Sequence, residues 1–189
     1  MPDKLAFKPV TRATARDFEA LFAGPGGPKP CWCMTWRATP QEIKDNKGPA
    51  RRQQILGRIA DGVPVGLLGY ADGEPVAWVS VAPRDTFRNL GGPDDEPGEH
   101  VWSLTCMYVR RQVRGEGLGR QLIAAAIAHA REHKADVLEA YPVAPSSPSY
   151  RFMGFVPAFA GLGFVEIGKA GTRRHVMRLT LSSGKAGNP

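Results

Sequence analysis

The stretch Cys106-Met-Tyr-Val-Arg-Arg-Gln-Val-Arg-Gly-Glu-Gly-Leu-Gly-Arg120 runs straight into Gln121-Leu-Ile-Ala-Ala-Ala-Ile-Ala-His-Ala130, and it constrains this chain more than any other. An apolar, strand-like run enters a glycine-rich turn and leaves as an alanine-rich amphipathic helix. Glycines there let backbone N–H groups approach an anion closely, and the helix aims its positive end at the same spot. The segment reads as a phosphate cradle.

The spacing excludes two familiar cradles. A P-loop needs Lys-Ser/Thr after its last glycine, whereas Gly119 is followed by Arg120-Gln121. A dinucleotide fingerprint needs Gly-x-Gly-x-x-Gly, whereas these glycines stand at 115, 117 and 119. What remains is Gln112-x-x-Gly115-x-Gly117 with Leu118-Gly119-Arg120 completing the turn. That pattern resembles motif A of the GNAT superfamily of acyl-CoA-dependent N-acetyltransferases, which grips the coenzyme A pyrophosphate. The segments Cys31-Trp-Cys-Met34 and Leu138-Glu-Ala-Tyr-Pro-Val143 are similar to segments of bacterial members of that superfamily.

At 189 residues the chain suits one domain, expected over 1–181 with a disordered tail at 182–189. Hydrophobic content of 42% and charged content of 23% are those of ordinary globular proteins. No apolar run approaches the roughly 20 residues that span a bilayer, and the start lacks a signal-peptide core, so a cytoplasmic location without a membrane partner is expected. Three cysteines without an export signal suggest reduced thiols. The Cys31-Trp-Cys33 pair has no second ligand pair at metal-site spacing, so no metal is expected. The net charge of +7 is dispersed, with basic residues in pairs only. A polyphosphate cofactor rewards such a surface as well as nucleic acid would, and no nucleic-acid partner is expected.

Periodicity and turn residues give the element order. Residues 7–11 form a first strand. Thr14-Ala-Arg-Asp17 and Thr39-Pro-Gln-Glu42 read as capping boxes opening two helices, the second interrupted at Gly48-Pro49 and resuming from Ala50 to Ala60. Strands follow at 65–70 and 75–81, joined by an Asp72-Gly73 hairpin turn, then at 101–109. A helix over 117–133 precedes a strand at 137–143, a helical turn at 159–162, and strands at 164–167 and 176–181. This order, β-α-α-β-β-β-α-β-α-β-β, fits the superfamily's mixed α/β (α+β) fold, a mostly antiparallel twisted sheet flanked by helices.

The resemblance carries specific expectations. Met107, Tyr108 and Val109 would run beside the pantetheine arm of acetyl-CoA, the cosubstrate. The pyrophosphate would meet Gly115, Glu116, Gly117, Leu118, Gly119 and Arg120, mostly through backbone amides, and Arg114 and Arg120 could add charged donors. Transfer needs a neutral amine, a stabilised oxyanion and a proton for the departing thiolate. Two segments share the superfamily's spacing for the acid: Tyr150-Arg-Phe-Met-Gly-Phe155, and Phe159-Ala-Gly-Leu-Gly-Phe164 with Phe at the key position. The second sits better in the superfamily's order, which leaves either Tyr150 reaching in from a loop as the acid or solvent protonating the thiolate. No base is identified: Glu99, His100 and Glu139 are candidates, and Ser103 stands where relatives have a Glu. Trp32 and Trp36 would line the pocket of an apolar or aromatic amine, either a small molecule or a protein. Acylation of Cys106 is conceivable, though an inert core thiol fits its strand better. The resemblance also allows a homodimer. Two readings stay open, an N-acetyltransferase acting by direct ternary-complex transfer and a non-catalytic acyl-CoA-binding regulatory or scaffolding module.

Overall fold

The computed structural model describes residues 4–44, 47–115 and 117–181. Its strands are β1 (Ala6–Pro9), β2 (Leu67–Ala71), β3 (Glu74–Pro83), β4 (Val101–Val109), β5 (Val137–Ala140), β6 (Val165–Ala170) and β7 (Arg174–Thr180). The helices are α1 (Ala15–Ala23), α2 (Pro40–Lys44), α3 (Gly48–Ala60), α4 (Leu118–Glu132) and α5 (Val156–Ala160). One seven-stranded sheet runs in the order β1-β2-β3-β4-β5-β7-β6, antiparallel except for β4 and β5. The mixed, mostly antiparallel sheet expected from the element order is present. The expected tail at 182–189 lies outside the described residues.

Local chemistry explains several boundaries. At α2 the capping box forms in full: Glu42 N donates to Thr39 Oγ1 at 3.2 Å, and Thr39 N donates to Glu42 Oε2 at 2.7 Å. At α1 it does not form. Thr14 Oγ1 is engaged by Thr11 N at 2.9 Å, and Asp17 accepts a hydrogen bond from Tyr70 at 2.7 Å, so both box members have other partners. Asp72 and Gly73 both take positive φ, 49° and 83°, as a type I′ hairpin requires. Gly48-Pro49 does not interrupt a helix but begins one, because proline at the first turn has no N–H to lose. The strand expected to reach Val143 stops at Ala140, before Pro142, which cannot donate to a ladder.

The sheet is covered on both faces. On one, α4 buries Leu118, Leu122, Ile123, Ala126, Ile127 and Ala130 against Val79, Val81, Trp102 and Leu104. On the other, α1 packs Phe18 and Phe22 with Trp32 and Trp78, ring centroids 4.2 to 6.4 Å apart. Burying each such large apolar side chain contributes roughly 1.5–3 kcal/mol. Among the described residues no helix is long and apolar enough to cross a membrane, and no cluster of three His, Cys, Asp or Glu is placed to hold a metal.

Two buried charges stand out. Glu139 of β5 is wholly inaccessible to solvent. It accepts hydrogen bonds from Arg84 at 2.7 Å, from Arg178 Nε at 2.6 Å and from the Tyr141 hydroxyl. Asp95 and Glu99 complete the neutralisation of these two arginines. Arg37, only 3% exposed, has no carboxylate partner among the described residues. One nitrogen donates to Val65 O at 2.7 Å and Ser80 Oγ at 2.8 Å, while Nε and Nη1 find no oxygen acceptor. Its charge partner is the Cys33 sulfur. A hydrogen bond from Cys106 pulls the Cys33 thiol below its ordinary range, burial opposes this, and Arg37 adds to the lowering. Cys106 is pushed up, because the pair shares one proton more easily than it loses two.

Two stability outcomes are expected. Truncating Glu139 to Ala leaves two guanidinium groups facing a void and should cost about 3 kcal/mol in urea unfolding, against a smaller loss for Glu139→Gln. A lowered folded pKa for Cys33 contributes stability above the unfolded thiol's value that is lost as pH falls through the folded one. The wild type should therefore exceed Cys33→Ser in stability near about pH 9 and lose that margin toward about pH 5. A margin independent of pH would remove the thiolate from this account.

Candidate active site

β4 and β5 pair as parallel strands over four residues, from Val101↔Val137 to Leu104↔Ala140. Beyond Leu104 the register of β4 against β3 shifts, from Val81↔Leu104 to Ser80↔Cys106, leaving Thr105 as the extra residue of a bulge. Past that point β4 keeps β3 as its partner through Val109, while the chain after β5 turns toward Phe155 and Arg174 through Val143. One edge of Met107–Val109 therefore faces a gap in the sheet.

The turn into α4 borders the same gap. Gly117, at φ 87°, is the residue before the helix, and its left-handed backbone is one that a β-branched side chain would strain. The first turn of α4 contains no acidic residue, which leaves the positive helix end uncompensated from within that turn. Arg114 Nε donates to Val109 O at 3.0 Å and Arg120 Nη2 to Gly161 O at 3.2 Å. Both guanidinium groups are thus anchored at the cleft with further N–H donors to spare.

A cavity of about 550 Å³ occupies the gap. Its lining brings together Met107, Tyr108, Val109, Arg114, Gly115, Leu118, Gly119 and Arg120, eight of the ten residues expected at the cofactor. Gly117 shapes the turn without lining the cavity, and Glu116 lies outside the described residues. Arg151, Phe152, Phe155 and Ala158 also line it and were missed, although the Tyr150–Phe155 motif held three of these four neighbours' signal in its spacing. A larger cavity, about 670 Å³, opens between Arg84 and His133, but Asp94, Asp95 and Glu99 on its wall suit a polyphosphate poorly.

The remaining candidates divide. Tyr150, in a left-handed conformation at φ 58°, precedes the turn Arg151–Met153. Its ring lies 6.2 Å from that of Trp36 and 6.3 Å from that of Phe152, and its hydroxyl makes no hydrogen bond to a described residue. Trp36 stands with Phe87, Leu90, Tyr141 and Met153. Trp32 belongs to the core, its ring 5.6 Å from Phe22. Glu139 and Glu99 are both engaged by arginine, and the described cavity lining contains no Asp, Glu or His. Cys106 is partly buried beside Cys33.

Comparison with known proteins agrees with this fold. The ribosomal-protein-alanine N-acetyltransferase of Brucella melitensis is 26% identical, with a TM-score of 0.55 over 94% of this chain and 100% of its own. A Corynebacterium glutamicum acetyltransferase of the histone acetyltransferase HPA2 and related type superposes with a TM-score of 0.60 at 17% identity, covering 98% and 99% of the two chains. The PaiA N-acetyltransferase of Thermoplasma acidophilum, solved with coenzyme A, gives 0.54 at 11% identity over 94% and 99%. No curated protein matches the chain. The model of the Acetyltransferase (GNAT) family matches residues 30–155, and the chain belongs to that family.

Proposed function

We propose that this chain is an acetyl-CoA-dependent N-acetyltransferase that transfers the acetyl group directly to a primary amine. One observation carries the reading: an unpaired strand edge and a helix N-terminus with no acidic residue in its first turn border the same cavity. The free edge of Met107–Val109 suits the amide groups of a pantetheine arm. The backbone of 115–120, with Arg114 and Arg120, suits the pyrophosphate. The Brucella neighbour's N-acetylation of a ribosomal-protein alanine supports nitrogen as the acceptor atom.

Bound acetyl-CoA supplies an activated acyl carbon, and the amine's lone pair forms the C–N bond as the C–S bond breaks. The chain's part is to orient the two, exclude water and manage protons. Tyr150, with its hydroxyl uncommitted, is the donor proposed for the departing sulfur. Glu139 is not the base, because Arg84, Arg178 and Tyr141 saturate its oxygens. The amine enters as its free base, and its excess proton leaves to solvent. A non-catalytic acyl-CoA module shares the cavity but gives no role to the uncommitted Tyr150.

Two outcomes test the reading. Gly117→Val should weaken coenzyme A binding by roughly tenfold or more in calorimetric titration, since a β-branched residue at that φ costs on the order of 1–3 kcal/mol. Glu116→Ala should change it little; equal effects would remove the turn from the binding site. Tyr150→Phe should lower kcat on the order of a hundredfold while leaving coenzyme affinity intact. An unchanged kcat would end its role as acid, and tight coenzyme binding without acetylation of any amine in a broad panel would favour the module.

A further inference from the structure

Two arginines with no ion-pair partner among the described residues lie over the Trp36 ring. The Arg174 guanidinium carbon lies 4.4 Å from the indole centroid and that of Arg88 lies 5.2 Å from it. Arg174 also lies 5.5 Å from the Tyr150 ring and 5.9 Å from that of Tyr141. Each cation gains from the aromatic face, but two like charges on one ring repel. Burial weakens the Arg174 proton's hold most, and the charge of Arg88 adds to that.

No carboxylate relieves this repulsion. Among the described residues neither arginine has an ion-pair partner, and Arg174 donates only to Leu90 O, at 2.9 Å. The indole N–H of Trp36 is buried without an acceptor in a side chain only 8% exposed. The contrast within this chain is informative. Arg84 and Arg178 receive three carboxylates, Glu139, Asp95 and Glu99. Three donor groups at Trp36 receive none.

Their position relates them to the acetyl-transfer cleft. The segment 150–154 has two sides. Arg151, Phe152 and Gly154 line the cleft with Met107, and a Cβ on Gly154 would come within 2.6 Å of Met107 Cε. Tyr150 and Met153 pack with Trp36. An amine held at the Met107 end of the cleft therefore has the arginine pair one chain segment away.

Building on the acetyltransferase reading, we propose that the acceptor is a small amine bearing a carboxylate, an apolar amino acid or close analogue, whose carboxylate is bound by Arg88 and Arg174 beside Trp36. The planar guanidinium forks match a carboxylate, and the indole N–H supplies a further donor. Trp36 and Tyr150 offer their rings to the apolar portion.

The test uses the full chain with acetyl-CoA and a panel of apolar L-amino acids, each beside its carboxamide, its decarboxylated amine and a short peptide starting with the same residue. Acetylation is followed as coenzyme A release, and acceptor binding in the presence of coenzyme A is followed by calorimetry. The acids should be preferred in kcat/KM. Arg174→Gln and Arg88→Gln should each cost roughly ten- to a hundredfold on the acids, mostly in KM, and under about threefold on amides and amines. Because the comparison is of variant against wild type on each acceptor, differences in amine basicity cancel. Arg88 is exposed, so its variant remains a test if Arg174→Gln folds poorly. Equal losses on all acceptors, or preference for the amides, amines or peptides, would overturn the inference. Binding of the acids without acetylation would sink the enzyme reading and leave the anion pocket standing. Intact coenzyme binding with no acid bound would overturn the pocket alone.

Discussion

The parallel ladder between β4 and β5 is short, and the rest of the site depends on where it stops. Parallel strands need a crossover, and α4 is that crossover, so its N-terminus must begin where β4 ends. Pro142 cannot extend the ladder from the β5 side, and the Thr105 bulge bends β4 from the other. The two strands separate after Leu104↔Ala140 with one β4 edge unsatisfied. An unsatisfied edge inside a sheet is normally a liability, and here it borders a helix N-terminus whose first turn holds no acidic residue.

The arginines of this fold follow three electrostatic solutions, and the differences bear on the proposed acceptor site. Arg84 and Arg178 converge on Glu139 and are fully neutralised, an arrangement that holds β5 and β7 to the loop ahead of β4. Arg37 has no carboxylate and is matched instead by a thiol that burial alone would keep protonated. Arg88 and Arg174 have no carboxylate partner among the described residues. A cation that needs only structural balance can carry its counter-ion in the same chain. One that receives an anion in the working complex cannot, because a resident carboxylate would compete for the same donors.

Much of the fold and most of the lining of the candidate cavity were legible in the sequence because both rest on local chemistry. A glycine spacing, an Asp-Gly pair and the Thr39 capping box each act within a few residues, and each appears where expected. The Thr14 box failed for the complementary reason: Asp17 is claimed by Tyr70, distant in sequence, and a tertiary hydrogen bond displaced the local one. Trp32 and Trp36 show the same limit. They are four residues apart in one loop, yet one ring is stacked in the α1 core and the other lies between two arginines contributed by distant segments. Nothing in a run of seven residues distinguishes them.

The backbone bears the same division. Where the cofactor is expected, position 117 needs only its main chain, so the left-handed backbone at Gly117 costs little. Away from that turn, three described residues with large or reactive side chains take positive φ: Trp32, Cys33 and Tyr150. Of the other two non-glycine cases, Asp72 serves a hairpin and Lys134 follows α4. Left-handed backbone at a non-glycine residue costs on the order of 1 kcal/mol or more and persists only where the surrounding packing compels it. Glycine would relieve that strain at each of the three positions, but it would remove the Trp32 ring from the core, the sulfur from Arg37, or the phenol from Trp36. The strain is retained where the side chain itself is what the fold must position.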